Sequence, residues 1–383
     1  MAEPHFLCRR WETTAGSITN MKLVENVDIG PPPDDAVTIA VRAIGLNFAD
    51  VFSLLGLYSA TPQGTFTPGL EVAGTVAALG KQAAKHFKLG QRVYGVTRFG
   101  GYTERLHLKM AYVKPIPAGW SFSEAAAFPA QALTAWYGLV ELGGLRAGQR
   151  VLVHSAAGGT GLWATRFARH LGADVVGTVG TAGKTSELCA LTGLSSFSVV
   201  DRSSCGGTAA MQKELSAAAG GKKFDVVFDS LMGDWFAASH EQLAPMGRHI
   251  VLGAGSMTPP GSRPNWLALA WRWLKRPRLD PLNMIQTNKS VMAFNLIWLY
   301  EEVSEMDRIF DDVMVIVGTG AVGKSHVGTT FPFEEMPSAV RALQSGKTVG
   351  KVVVTVGGPD TDVAAPAAAA TPKKSTRRPK RAS

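Results

Sequence analysis

The chain has 383 residues, 46% of them hydrophobic, which is enough for two folded domains with sizeable cores. No apolar stretch reaches the roughly 18 residues of a membrane span, and the first residues lack the features of a secretory or transit signal. The net charge is +9, but residues 357–383 hold six Lys or Arg and two Asp and so supply +4 of it. The rest of the chain therefore carries only +5, which gives no reason to expect specific nucleic-acid binding.

The first 130 residues alternate with period two between glycine-rich breaks, a pattern typical of a small curled sheet or barrel. A loop and short helix are predicted at 45–58, and they place Asn47, Asp50 and Tyr58 among apolar neighbours. Strands are predicted at 1–30 as a hairpin and at 37–44, 68–76, 90–95, 100–106.

From residue 121 to residue 142 the apolar period becomes helical. Ser121 is the predicted N-cap, and Glu124 completes a capping box. We expect the joint between domains in this region. The predicted divisions are a β-rich domain at 1–130, a nucleotide-binding domain at 131–323, a return to the first domain at 324–356, and a disordered basic tail at 357–383.

A strand, a glycine turn and a helix are predicted in succession over residues 151–170. The turn places small residues where a backbone must approach a diphosphate, and the helix start offers free N–H groups to its charge. A glycine turn that binds no ligand is the alternative. The predicted cofactor-binding residues of this turn are Ala156, Gly158, Gly159, Thr160 and Gly161.

The strand predicted at 174–179 is followed by a segment without a carboxylate. An Asp or Glu in this place binds a free ribose 2′-hydroxyl, so its absence favours a 2′-phosphate. Thr178 and Thr181 can donate hydrogen bonds to that phosphate and Lys184 adds a positive charge. NADPH is therefore the predicted cofactor; a solvated loop whose lysine binds nothing is the alternative.

Strands and helices alternate after residue 150, as in a parallel doubly wound sheet. A helix at 331–343 and a final strand at 350–356 then complete the first domain. The parallel strands are predicted at 151–154, 174–179, 198–200, 224–228, 249–252.

Several of these stretches together resemble the medium-chain dehydrogenase/reductase superfamily, in its zinc-free quinone oxidoreductase branch. Within that branch, residues 265–270 and 332–334 look most like the vesicle amine transport protein group. The resemblance implies an α/β fold in which a doubly wound parallel Rossmann sheet is inserted into a β-rich GroES-like catalytic domain, and it suggests a homodimer. The matching stretches are 43–50, 56–58, 68–74, the glycine turn, 224–230 and 349–354.

Zinc-dependent members of the superfamily carry a Gly-His-Glu motif whose histidine is a metal ligand. Here the motif reads Gly-Leu-Glu, and Leu70 cannot bind a metal, while Glu71 is interpreted as a buried structural residue. Three scattered cysteines without a Cys-x-x-Cys pair argue against a structural zinc site and for a reducing compartment, the cytoplasm. We therefore predict no metal site.

The resemblance also assigns roles in the cleft. It implies that Thr134 reaches the nicotinamide carboxamide and that residues 253–256, including Gly253 and Ser256, line the cofactor near its nicotinamide end. The catalytic candidates are Asn47, Asp50 and Tyr58; a further tyrosine of the family is replaced by Phe52 here.

The predicted activity is NADPH-dependent reduction of quinones or of activated carbon–carbon double bonds. Hydride transfer places negative charge on a substrate oxygen, to which Asn47 and Tyr58 could donate hydrogen bonds. Asn47 and Asp50 could instead cap the short helix that follows.

An alternative function is a membrane-associated lipid-binding or partner-binding protein that keeps its NADPH affinity but has little turnover. Residues 263–276 suggest it, because they combine tryptophans with basic residues on an amphipathic helix. The same stripe would serve equally as a lid or as a domain or subunit contact.

Overall fold

Residues 6–358 are described by the structure, a computed structural model. The basic tail was predicted to be disordered, and its residues from 359 onward lie outside this range. The strands are β1 (Leu7–Thr14), β2 (Lys22–Asp28), β3 (Ala36–Gly45), β4 (Thr65–Phe66), β5 (Glu71–Leu79), β6 (Arg92–Val96), β7 (Arg105–Lys109), β8 (Val113–Pro115), β9 (Arg150–Val153), β10 (Asp174–Val179), β11 (Val199–Asp201), β12 (Phe224–Asp229), β13 (Leu243–Val251), β14 (Ser290–Ala293), β15 (Val327–Pro332) and β16 (Lys351–Thr355). The α-helices are α1 (Phe48–Leu54), α2 (Phe122–Ala126), α3 (Pro129–Trp136), α4 (Gly159–His170), α5 (Thr185–Thr192), α6 (Thr208–Ala218), α7 (Asp234–Glu241), α8 (Trp266–Leu274), α9 (Pro281–Thr287), α10 (Val303–Gly318) and α11 (Met336–Gln344).

Six strands form one parallel sheet in the order β11-β10-β9-β12-β13-β14. Its central strands are continuously apolar, because helices cover both faces; Val151, Leu152 and Val153 of β9 are all fully buried. The order matches a doubly wound Rossmann sheet, whose ligand crevice lies where the strand order reverses, between β9 and β12. The predicted fold class is confirmed. Strand β14 was missed from the sequence, since a four-residue edge strand of half-buried residues has too little periodicity to detect.

A second, mixed sheet has the order β15-β16-β3-β5-β6-β8, and β7 pairs with β3 outside this path. Strand β16 runs antiparallel to β3, with Val353 opposite Gly45, so the chain does return to its first sheet after the parallel one. The helix predicted at 331–343 begins only at Met336, because Phe331 and Pro332 belong to β15. The exact domain boundaries stay a prediction.

The connection between the two sheets is helical, as predicted, but it is not one helix. Ser121 caps α2 and forms the expected capping box with Glu124. Pro129 then begins a new helix, α3, because its ring cannot continue the preceding hydrogen-bond ladder. The break turns α3 towards the cleft between the sheets.

The segment after β13 carries an unusually exposed helix. No residue of α8 is buried, although the helix contains three tryptophans and three leucines. Within residues 6–358 no helix is both long enough and apolar enough to cross a bilayer.

Candidate functional site

A cleft of about 1150 Å³ lies between the carboxyl ends of the parallel strands and the mixed sheet. Nine of the fourteen predicted site residues line it, and five do not. Those that line it are Asn47, Tyr58, Thr134, Gly158, Gly159, Thr160, Gly161, Lys184 and Gly253. Those outside its lining are Asp50, Ala156, Thr178, Thr181 and Ser256.

The glycine turn opens directly into the cleft at the start of α4. Gly158 is the N-cap and has no side chain to satisfy the first N–H groups of the helix, which remain available to an anion. A Cβ on Gly161 would lie 2.3 Å from the carbonyl oxygen of Ser155, and one on Gly159 would lie 2.0 Å from Gln131 Oε1. Ala156 is fully buried beneath this turn, where it packs against Gly161. The turn therefore fits a dinucleotide diphosphate.

Two cations lie together beyond the carboxyl end of β10. Lys184 lines the cleft, and its Nζ donates to the carbonyl oxygens of Gly346 and Thr348, the latter at 2.9 Å. Arg202 also lines the cleft beside Gly180, and burial lowers its pKa to about 10. Burial and the neighbouring Arg202 charge lower the pKa of Lys184 as well. Among the described residues neither cation has a carboxylate at ion-pair distance, so this place favours an anion.

The sequence analysis did not identify Arg202. The two threonines that it predicted as donors to the 2′-phosphate do not face the cleft. The Thr178 side chain is fully buried and its hydroxyl contacts His154 Nδ1 and Arg202 Nη1, so it cannot donate to a phosphate as predicted. Thr181 is exposed beside Lys184 but outside the lining of the cleft. Arg202 follows the third parallel strand, and only the assembled sheet brings it next to the end of the second.

The remaining predicted cofactor residues differ in their placement. Thr134 faces the cleft, and its hydroxyl donates to the Ala130 carbonyl at 2.6 Å, which leaves its oxygen free to accept a hydrogen bond. Gly253 lines the cleft, whereas Ser256 is exposed and its carbonyl accepts from Arg272 Nη1 at 2.8 Å. The structure therefore does not place the Ser256 side chain against a cofactor.

Asn47 is held by a buried ion pair at the floor of the cleft. Lys351 Nζ lies 2.5 Å from Glu71 Oε1 and donates to Asn47 Oδ1 at 2.9 Å. Asn47 Nδ2 in turn donates to Glu71 Oε1 at 2.9 Å and to the Gly45 carbonyl at 3.3 Å. The second Glu71 oxygen accepts from the Ala130 N–H at 2.9 Å. Both amide hydrogens of Asn47 are therefore already used, and neither points to a substrate.

Asp50 lies behind Asn47, out of reach of the cleft. Its carboxylate accepts the Asn47 backbone N–H at 2.7 Å, which is the helix-capping role weighed as an alternative. Burial raises the pKa of Asp50 to about 7, while the Asn47 N–H, the Lys351 charge and the Tyr102 hydroxyl act in the opposite direction. The sequence placed Asp50 among the catalytic residues, but the structure makes it a buried helix cap.

Tyr58 faces the cleft and is paired with a residue that the sequence did not single out. Its hydroxyl donates to Asn295 Oδ1 at 2.8 Å, and burial raises the pKa of Tyr58 to about 12. Asn295 Oδ1 also accepts the Ile297 N–H at 3.4 Å, which fixes the orientation of the amide because a backbone N–H can only donate. Asn295 Nδ2 is thus left as a donor in the cleft lining.

The end of the cleft around Tyr58 is apolar. Leu70 lines it at the position of the missing zinc ligand. Within residues 6–358 no three His, Cys, Asp or Glu side chains are grouped so that they could hold a metal ion. The other apolar side chains around Tyr58 are Phe48, Phe52, Leu57, Leu296 and Ile297.

Comparison with known proteins agrees with this architecture. The family model described as an alcohol dehydrogenase GroES-like domain matches residues 33–137, and the model described as a zinc-binding dehydrogenase matches residues 207–354. The chain is 32% identical over 350 residues to the synaptic vesicle membrane protein VAT-1 homolog of Rattus norvegicus, a match that covers 90% of this chain and 83% of the relative.

Two solved structures are similar over nearly their whole length. The quinone oxidoreductase of Escherichia coli complexed with NADPH has a TM-score of 0.76 and 25% identity, covering 91% of this chain and 99% of that one. The CurK enoyl reductase has a TM-score of 0.73 and 28% identity, with the same coverage. The chain therefore belongs to the medium-chain dehydrogenase/reductase family of oxidoreductases, and within it lies close to the VAT-1 homologues.

Proposed function

We propose that the protein is an NADPH-dependent reductase of quinones or of activated carbon–carbon double bonds. The observation that carries the proposal is the pair of cations, Lys184 and Arg202, without a carboxylate partner among the described residues and next to the free start of α4. Relatives that are described as a quinone oxidoreductase with NADPH and as an enoyl reductase support the same chemistry.

The cofactor proposal follows the order of groups along the cleft. The α4 start would hold the diphosphate, while Lys184 and Arg202 would hold the 2′-phosphate. Thr134 and Gly253 would lie beside the nicotinamide. A Cβ on Gly159 or Gly161 would clash with Gln131 or with the Ser155 backbone, so the close packing of this turn requires glycine at both positions.

The substrate chemistry would take place at the apolar end. NADPH, when bound, supplies a hydride to an electrophilic carbon of the substrate. Asn295 Nδ2 would stabilise negative charge on the substrate oxygen, and Tyr58 would add a second hydrogen bond once its proton turns away from Asn295. Asn47 would act indirectly, since its amide is held by Glu71 and Lys351.

A binding experiment tests the cofactor assignment. NADPH should bind at least about tenfold more tightly than NADH, because the lost phosphate contact is charge-assisted. Arg202→Met and Lys184→Met should each reduce this preference, and Lys184→Glu should abolish or reverse it. Lys213→Met, an exposed lysine in α6, is the matched control and should leave both dissociation constants unchanged. Equal affinities for the two cofactors in the unmodified protein would contradict the proposal.

An activity screen tests the reaction class. NADPH oxidation is followed with simple quinones and with enones, and turnover is expected with at least one of the two. If neither supports turnover while NADPH still binds, the alternative of a binding protein is favoured instead.

A second candidate function is contact with a membrane surface through α8. Leu267 is 86% exposed, Trp266 63% and Trp271 60%, so a broad apolar face has no partner among residues 6–358. Lys275 lies over the Trp271 ring at 4.5 Å and Arg276 over the Trp273 ring at 3.7 Å, which places positive charge at the edge of that face. Residues 263–279 contain five Arg or Lys and no Asp or Glu. Tryptophan with a basic rim suits the interface of an anionic bilayer.

Vesicle sedimentation tests this contact. The protein should pellet with vesicles that contain phosphatidylserine and much less with phosphatidylcholine alone, and Trp266→Ser with Trp271→Ser should abolish pelleting. Phe197→Ser is the control, because Phe197 is 89% exposed elsewhere on the surface. If the tryptophan variant instead converts a dimer into a monomer, α8 is a contact between two copies. The homodimer and the cytoplasmic location remain predictions.

A further inference from the structure

A chain of buried hydrogen bonds runs from Arg202 into the interior of the parallel sheet. Arg202 Nη1 donates to Thr178 Oγ1 at 3.0 Å, and Thr178 Oγ1 lies 3.1 Å from His154 Nδ1. His154 Nε2 lies 2.7 Å from Ser239 Oγ, which donates to the Trp235 carbonyl at 2.6 Å. The three middle side chains are between 0% and 1% exposed, so water does not compete for these bonds.

The direction of every bond in this chain can be assigned. A carbonyl oxygen only accepts, so the Ser239 proton points to Trp235 and Ser239 Oγ must accept from His154 Nε2–H. Burial lowers the pKa of His154 to about 4, so the ring is neutral and its Nδ1 carries a lone pair. The Thr178 hydroxyl therefore donates to His154 Nδ1. The Thr178 oxygen is left as an acceptor, and it accepts from Arg202 Nη1 at 3.0 Å and more weakly from the Ser155 N–H at 3.3 Å.

This direction determines how Arg202 is held. The Thr178 oxygen fixes Nη1 at the inner side of the guanidinium, with the Ser155 hydroxyl as a weaker second contact at 3.4 Å. Nη2 lies near Gly180, where a Cβ would approach it to 3.4 Å. A charged histidine in the same place would reverse the Thr178 bond and repel the guanidinium. The donors on the outer side are thus kept in one orientation at the cleft surface without an acidic partner.

We propose that His154 and Thr178 are positioning residues that hold Arg202 in the orientation by which the protein distinguishes NADPH from NADH. Neither side chain would touch the cofactor phosphate itself. Their effect would come from pre-organisation, because a planar guanidinium already fixed in place loses little freedom when it binds a phosphate. The inference rests on the proposed cofactor.

The test compares dissociation constants for NADPH and NADH, measured by titration without any substrate. Thr178→Val keeps the side-chain volume and removes the acceptor. It should raise the dissociation constant of NADPH by about fivefold or more, the scale of one hydrogen bond, and leave that of NADH unchanged. Thr178→Ser restores the hydroxyl and should restore the preference. If Thr178 acts only in folding, the Thr178→Val variant will have a lower melting temperature and will bind both cofactors more weakly by the same factor. That result would overturn the proposal.

A second pair of variants separates this inference from the proposed function. If Arg202→Met leaves the cofactor preference unchanged, the proposed 2′-phosphate site itself is wrong. If Arg202→Met removes the preference while Thr178→Val does not, only the positioning role is wrong. In the Arg202→Met background, Thr178→Val should have no further effect on NADPH. Should Thr178→Val fail to fold, Thr178→Val with His154→Leu removes both partners of the buried bond together, and it is expected to show the same selective loss of NADPH.

Discussion

At the scale of single residues, the polar groups near the apolar end of the cleft divide into two sets. Asn47 and Asp50 are bonded within the protein, to Glu71, Lys351 and the backbone. Tyr58 and its partner Asn295 face the cleft. The local capping bond between Asp50 and Asn47 was weighed as an alternative from the sequence. The bond from Lys351 to Asn47 was not predicted, because the two residues are 304 positions apart.

Tyr58→Phe and Asn295→Ala should each lower the rate of hydride transfer to an enone by about 10 to 1,000-fold, the scale of losing one pre-organised donor. NADPH affinity should barely change, and quinones should be affected less because water can protonate their products. Single-turnover NADPH oxidation measures the effect. Asn47→Ala is the comparison, and we expect it chiefly to lower the melting temperature, because it removes a partner of the buried Glu71–Lys351 pair. Unchanged enone rates in the first two variants would refute the assignment.

Asp50 should make stability depend on pH. Its pKa in the folded protein is about 7, above the ordinary value of 3.8, so the folded state holds a proton that the unfolded state releases. The stability from this proton is fully present below about pH 4 and is lost as the pH rises through about 7. Asp50→Asn should therefore raise the melting temperature relative to the unmodified protein at both pH 5 and pH 8, and by about 2–6 °C more at pH 8, because most of the loss falls between these two values.

Melting curves at both pH values measure this difference. Asp34→Asn, at an exposed position, is the control and should behave alike at the two pH values. A shift in Asp50→Asn that is the same at pH 5 and at pH 8 would show that Asp50 is charged in the folded protein throughout this range.

At the scale of elements, local patterns account for more of the structure than long-range ones do. The strand, glycine turn and helix from β9 to α4 follow from a short apolar run and the glycines, and the capping box of α2 follows from Ser121 and Glu124. Arg202 and Asn295 were missed because each reaches the cleft only through the order of strands in the sheet. The break at Pro129 was also missed, since the helical periodicity continues across it.

Gly161→Ala tests the close packing of the glycine turn. The new Cβ would lie 2.3 Å from the Ser155 carbonyl oxygen and 2.7 Å from Ala156 Cα, both backbone atoms that cannot move aside cheaply. We expect a loss of about 1–3 kcal/mol in the free energy of unfolding, together with weaker NADPH binding. Gly318→Ala in α10 is the matched control, because no atom lies within 4 Å of its Cβ. Equal melting temperatures of the two variants would show that the turn can relax.

At the scale of the whole molecule, the two sheets meet around a cleft that contains no arrangement suited to a metal within the described range. The family model is described as a zinc-binding dehydrogenase, but this chain has Leu70 where zinc-dependent members carry a histidine. The sequence predicts this difference from one position, and a reaction without zinc stays a prediction.

Dialysis against a strong chelator should leave turnover unchanged, because the site offers no thiolate cluster and no histidine at residue 70. Readdition of zinc should not increase the rate. Elemental analysis of the purified protein checks the same point independently, and stoichiometric zinc that is lost together with activity would contradict the prediction.

The pairing of β16 with β3 also has a consequence for biosynthesis. Lys351 and Asn47 are separated by 304 positions, and at about 5–20 residues per second a ribosome needs roughly 15–60 s to make the chain between them. During that time β3 lacks one neighbour and Glu71 lacks its cation. The parallel sheet, whose strands are joined by short crossovers, can form within the same interval. The mixed sheet would thus be completed after the parallel sheet, which lies between its parts in the chain. Until β16 leaves the ribosome, the unpaired edge of β3 in the nascent chain would need protection.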